Sequence, residues 1–179
     1  RQLGMATITF SMDQRGEVLP PSQVARSGRR LDQMALTWNG DAQSGNATGN
    51  FENQTKGLLK SADFDGLGIL LRDAYCDSPK CLYCPSHTGR HTFQNNAALI
   101  ENRSIIPSEQ RRTIFANYQY VGHDGKVETL NTLQPDAILI TDGFRTKADF
   151  NHRIGMNQLL GDLSIQWWQD EQNRFFLGL

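Results

Sequence analysis

The sequence predicts an α+β domain, with an N-terminal helix packed on a C-terminal antiparallel sheet. Two patterns carry that prediction. Early in the chain apolar residues recur at helical spacing. From Thr113 onward they alternate at period two, or form short runs bounded by Asp-Gly and Gly-Asp turn signals. Helices first and antiparallel strands afterwards argue segregated layers rather than alternating βαβ units.

Each element has its own warrant. Residues 1–14 read as helix, with Leu3, Ala6, Ile8 and Phe10 as apolar positions, and Gly16 and the Pro20-Pro21 pair as its stop. Residues 24–38 suit either a basic amphipathic helix or a loop, because Leu31, Met34, Ala35 and Trp38 fit helical spacing. Residues 39–54, rich in Gly, Asn, Ser and Thr, read as an exposed loop. Residues 56–74 favour helix through Leu58, Leu59, Leu67, Leu70 and Leu71, and residues 77–96 read as a long loop.

Strands follow. Over residues 113–121, Ile114, Ala116, Tyr118 and Tyr120 share one face. His123-Asp124-Gly125-Lys126 is a turn before the run 127–130, and residues 137–141 form a continuous apolar run suited to a strand buried on both faces. Residues 156–160 and 163–168 read as the arms of a hairpin about Gly161-Asp162. That dipeptide suits a type II′ turn with Gly161 at positive φ. In the second arm Ile165 and Trp167 alternate with Ser164 and Gln166, predicting one apolar and one wet face.

Composition bounds the function. At 179 residues the chain fits a single domain, 1–179, able to bury roughly 70% of its unfolded surface. A net charge of −1 removes the electrostatic case for nucleic acid. Arg26, Arg29 and Arg30, with Arg111 and Arg112, read as solvated faces. No run approaches the ~18 apolar residues that span a bilayer.

The sharpest chemical cluster is Cys76-x4-Cys81-x2-Cys84-x2-His87, with His91 beyond it. Three sulfurs and an imidazole can close a tetrahedral zinc site. In an oxidising compartment the same residues predict a disulfide from Cys76 to Cys81 or Cys84, leaving one thiol. Both readings are structural, and both stay open at this point. A catalytic pairing of Cys84 with His87, His91 or His152 lacks a nucleophile elbow or oxyanion-hole motif, so no catalytic residue is assigned. Asp63 and Asp65 flank Phe64 and point apart if extended, which disfavours acid–base use. Asp142 with Asp162 or Asp149 offers oxygens for calcium, but without a dense acidic cluster calcium is less favoured than zinc, and no cofactor is required. His152 reads as a hydrogen-bonded histidine orienting the hairpin.

His152, nine intervening residues and Asp162, with Gly155 and Asn157 between, resemble the C-terminal His-x9-Asp-Gly signature of a bacterial prepilin-like family. The departure is Leu163, where that family has glycine. An Asp-Gly turn would put residue 163 at positive φ, costly for leucine, so the turn is expected to shift back onto Gly161-Asp162. Four further blocks resemble the family in order: residues 1–20, 66–86 ending in Cys84-Pro85-Ser86, Asn117-Tyr118-Gln119-Tyr120, and Ile140-Thr141-Asp142-Gly143.

The resemblance implies a type IV pilin-like fold and a non-catalytic subunit of a type II secretion or related pilus-like filament. The partners it implies are other pilin-like subunits and the assembly machinery. A leader and a hydrophobic helix ahead of Arg1 would anchor the protein in the cytoplasmic membrane, with the head in the periplasm or outside the cell. The alternative is a secreted or surface binding module for carbohydrate or protein cargo.

Overall fold

Helix α1 (Gln2–Asp13) is placed by one stripe. Leu3, Gly4, Ala6, Thr7, Phe10 and Ser11 recur at helical spacing and are buried, while Met5 and Met12 face outward at 62% and 71% exposure. The computed structural model describes residues 2–14, 18–22, 24, 33–37, 64–102, 113–121, 129–152 and 154–174. Outside them lie Leu31 and Trp38, the 39–54 loop, residues 56–63, both arginine clusters, the His123–Lys126 turn, and the terminal aromatics Phe175 and Phe176.

The architecture is mixed α and β, with a four-stranded antiparallel sheet in the second half. Its strands are β1 (Tyr118–Tyr120), β2 (Ile138–Asp142), β3 (Gly155–Leu160) and β4 (Ile165–Gln169), in the order β1-β2-β3-β4. Register aligns Tyr120 with Ile140, Ile140 with Leu159, and Leu159 with Ile165, so these side chains share one face. Gln119, Thr141, Gln158 and Gln166 form the row on the other. α1 meets the first face at Gly4, where an added Cβ would lie 3.4 Å from the Leu159 side chain. Its main neighbours are α2 (Leu67–Arg72) and a 3-10 helix at Pro79–Leu82. Phe10, fully buried, meets Tyr75 edge-on at 5.3 Å.

One open reading is resolved and others are corrected. Residues 33–37, left open between helix and loop, are not helical. Leu36 N donates to Ile114 O at 2.7 Å and Ala116 N to Met34 O at 2.8 Å, so this segment is drawn alongside the approach to β1. Of the expected 56–74 helix, the described part is helical only over Leu67–Arg72. Gly66, at φ 50, cannot continue a right-handed helix backward, and Asp65 instead accepts from Ser22 Oγ and Val24 N. The expected loop 77–96 contains the 3-10 helix and runs into α3 (Phe93–Glu101), capped by Thr92, whose Oγ1 accepts from Asn95 N. The β2 expectation holds, with Leu139, Ile140, Thr141 and Asp142 all buried.

The hairpin holds too, but its turn does not. Leu163, not Gly161, takes the left-handed conformation, at φ 68. Leu163 N closes a turn onto Leu160 O at 2.9 Å, and Leu160 N reaches Ser164 O at 2.9 Å, as in a three-residue loop ending in a left-handed residue. Gly161 is needed for space, since a Cβ there would meet Gln134 O at 2.3 Å. The left-handed position is therefore the one where the resembled signature carries glycine. A non-glycine residue there costs roughly 1–2 kcal/mol, against roughly 0.5–1 kcal/mol for glycine's extra unfolded-state freedom. Leu163→Gly is expected to stabilise the fold by on the order of 0.5 kcal/mol, read as a higher urea midpoint at unchanged slope. A lower midpoint would show that the Leu163 side chain contributes more than its backbone costs.

β4 departs from its expected apolar and wet faces. All five residues of this edge strand are exposed, including Ile165 at 47% and Trp167 at 45%.

Candidate functional site

Asp142, the last residue of β2, lies on the helix-facing side of the sheet but past α1, where loops rather than the helix cover it. It is 1% exposed. Its Oδ2 accepts from Asn157 N at 2.7 Å and from Asn157 Nδ2 at 2.9 Å, and Asn151 Nδ2 lies 3.5 Å from Oδ1. His152 sits on the turn ahead of β3. Its Nε2 is 3.4 Å from Asp142 Oδ2, 3.4 Å from Asn157 Nδ2 and 3.8 Å from Cys84 Sγ. Trp167 meets the imidazole edge-on at 5.6 Å. Gly155 makes room for it: a Cβ there would lie 2.6 Å from the Trp167 ring.

Cys84 arrives by a different route. The 3-10 helix buries Leu82, and the Tyr83 hydroxyl bonds Phe115 O at 3.0 Å. Asn117 then fastens this segment to the sheet: its N donates to Leu82 O, its Oδ1 accepts from Cys84 N, and its Nδ2 donates to His91 O. Asn117 O accepts from Gly143 N and from Asn151 Nδ2. One asparagine thus ties the cysteine segment, β1 and the end of β2 together.

The four residues expected to gather at a metal do not converge. The Cys76 and Cys81 sulfurs are neighbours, each the largest influence on the other's ionisation. His87 turns its Nδ1 to Asn151 Oδ1 at 2.8 Å, and its buried Nε2 has no hydrogen-bond partner among the described residues. Cys84 faces Asp142 and His152 instead, the one cluster of metal-type donors found among the described residues. The separation is local geometry: Leu82 and Tyr83 turn into the core between Cys81 and Cys84. The carboxylates considered for calcium with Asp142 have other partners. Asp162 is exposed, and hydrogen bonds from the Ser164 side chain and then from Ser164 N hold its carboxyl below the usual range. Asp149 accepts from Thr146 Oγ1 and stands 3.9 Å from His91, whose imidazole burial keeps below its ordinary pKa.

The contact of Cys84 with His152 does not make a nucleophile. Burial pushes the Cys84 thiol up, toward the protonated form. In a catalytic triad the acid holds the ring nitrogen opposite the nucleophile. Here thiol and carboxylate approach the same nitrogen.

The nearness of Cys81 to Cys76 favours Cys81 of the two disulfide partners open at the sequence level. All three thiols are free in this structure. Their interaction is the largest influence on both thiols, lowering Cys81 and raising Cys76, so Cys81 is the more readily ionised of the two. Oxidation with glutathione disulfide is expected to join Cys76 to Cys81 and leave Cys84 as the alkylatable thiol, read by peptide mass mapping. A Cys84-containing disulfide would contradict the arrangement.

The sequence reading missed the convergence of Cys84, Asp142 and His152. The residues stood in separate segments, and Cys84 and His152 are 68 positions apart. Searches of protein-family models, curated proteins and solved structures find no match to the chain.

Proposed function

We propose that the chain is the outward-facing head of a pilin-like subunit of a type II secretion or related type IV pilus-like filament, with a role in assembly and no reaction of its own. One observation carries this reading. Four of the five blocks that resemble the prepilin-like family, all but residues 1–20, each place a side chain in the same polar network although they are distant in sequence: Cys84, Asn117, Asp142, and His152 with Asn157. Residues that recur as a set are accounted for if together they brace the C-terminal hairpin against the rest of the head. The mixed α and β architecture, with α1 buried along one stripe, is compatible with the type IV pilin-like fold. No helix among the described residues is long and apolar enough to cross a membrane. On this reading a hydrophobic helix ahead of α1 supplies the anchor, and the machine's other subunits are the partners.

The test is to express the whole gene product in a bacterium with a prepilin peptidase and follow it by fractionation and cysteine crosslinking. Membrane retention and crosslinks to pilin-like subunits are expected. A product recovered wholly in the medium as monomer would sink the reading.

The exposed edge favours a second one. Ile165, Trp167 and Trp168 line the outer strand at 47%, 45% and 37% exposure, and flat aromatics flanked by Gln166 and Gln169 suit a sugar ring or a protein cargo. Glycan-array binding lost on Trp168→Ala would favour this secreted or surface binding module.

A further inference from the structure

We propose that Cys84, Asp142 and His152 form a binding site for a divalent transition-metal ion, zinc by preference, with water completing the coordination. This site is distinct from the Cys76, Cys81, Cys84 and His87 set that the sequence spacing suggests. It stands whether or not the protein is a filament subunit.

The donor set fits. Thiolate, imidazole and carboxylate are the three ligand types of zinc, and three protein ligands leave one position for water. With Zn–N and Zn–O near 2.1 Å and Zn–S near 2.3 Å, a tetrahedron spaces its donor atoms roughly 3.3–3.6 Å apart. His152 Nε2 lies 3.4 Å from Asp142 Oδ2 and 3.8 Å from Cys84 Sγ, and all three donor atoms fall within 4.8 Å of one another. Side-chain hydrogen bonds already hold the ligands. Asn157 fixes Asp142 through its N and Nδ2, and Asn117 Oδ1 fixes the Cys84 backbone.

With protons alone, His152 Nε2 faces either a second donor or a carboxylate across a lone pair. If His152 Nε2 carries a hydrogen, it bonds Asp142 but opposes the Asn157 amide donor 3.4 Å away. If Nε2 is bare, it accepts from Asn157 but sets its lone pair against a buried carboxylate. Flipping the Asn157 amide moves the conflict, because its oxygen would then face Asp142 Oδ2 at 2.9 Å. A cation between Sγ, Nε2 and the carboxylate satisfies all three donors at once, and the Asn157 amide keeps its bond to Asp142. The pairing of Cys76 with Cys81 leaves Cys84 available even where disulfides form.

The test is titration of the reduced, metal-stripped full chain with cobalt(II), read by the ultraviolet thiolate-to-metal band and the visible bands of a four-coordinate ion. One equivalent is expected to bind with a thiolate band. The band should survive in the Cys76→Ser/Cys81→Ser double variant and vanish in Cys84→Ser. His152→Gln alters a partly exposed side chain outside the buried core; it should weaken binding at least tenfold. Zinc should compete the cobalt out and raise the melting temperature of the wild type but not of His152→Gln. A wild type without a thiolate band, a band that follows Cys76 and Cys81, or unchanged affinity in His152→Gln would each overturn the site.

Discussion

Replacing Gly68 by alanine is expected to destabilise the fold by about 3 kcal/mol, although the same change inside an isolated helix would help. Local terms favour alanine by roughly 1 kcal/mol from helix propensity, together with a smaller loss of unfolded-state freedom. Packing opposes it. A Cβ on Gly68 would lie 2.0 Å from Leu36 O and 2.8 Å from Leu36 C, and backbone atoms cannot swing aside. Relief requires α2 and the 33–37 segment to part by more than 1 Å, on the van der Waals spacing of ~3.5 Å that carbon contacts need. That gap would open among Leu36, Leu67, Ile69 and Leu70, none more than 2% exposed, and would strain the Asp65 N to Leu36 O bond of 2.9 Å. Overpacking of this kind costs about 1–3 kcal/mol, and loosening the contacts around it adds to that. For a domain of this size the melting temperature should fall by roughly 6–12 °C. A neutral or stabilising Gly68→Ala would mean that α2 and Leu36 are not in this close contact.

How much of this was legible beforehand depends on the range of the interaction. α1 was readable because its buried stripe is a local pattern of six positions in twelve residues. β2 and the C-terminal hairpin were readable because short apolar runs and a Gly-Asp dipeptide are also local. The segment at 33–37 was not, since Met34 and Ala35 fit a helix equally well and only pairing with Ile114 and Ala116 decides it. Gly66, Gly68 and Gly155 carry no local signal of their packing role; their close approaches exist only once Tyr120, Leu36 and Trp167 have arrived. The turn at Leu163 failed for a different reason. The leucine's local cost argued for moving the turn, but the strand register and the close passage of Gly161 under Gln134 fix it in place. At the site, cysteine spacing suggested one four-ligand cluster, while the chain splits it into a thiol pair, a His87–Asn151 bond and the Cys84–Asp142–His152 group. Sequence proximity was a poor guide there because the side chains of Leu82 and Tyr83 are more strongly drawn into the core than the thiols are to one another.

Asp142→Ala is expected to cost about 3 kcal/mol, measured with a chelator present so that no metal contributes. The carboxylate is buried, and it is the acceptor for the Asn157 amide and side chain and lies against His152. Removing it strands two partly buried donors, each worth about 1–3 kcal/mol when left without a partner. Asp142→Asn keeps the volume and one acceptor oxygen. With that oxygen in the place of Oδ2 it can still take both Asn157 donors, but the charge is gone and its NH2 faces the Asn151 amide nitrogen where Oδ1 stood, so a loss of about 1–2 kcal/mol is expected. The ordering separates hydrogen bonding from simple space filling, because a site that needed only volume would tolerate asparagine fully. A double-mutant cycle with Asn157→Ala makes the distinction sharper. If the two residues act as one unit bracing β2 to β3, the double variant should be more stable than the sum of the singles predicts, by at least about 1 kcal/mol. Strict additivity would show that Asp142 works through another neighbour, and the brace beneath the hairpin would then have to be rebuilt around Asn151 and Asn117.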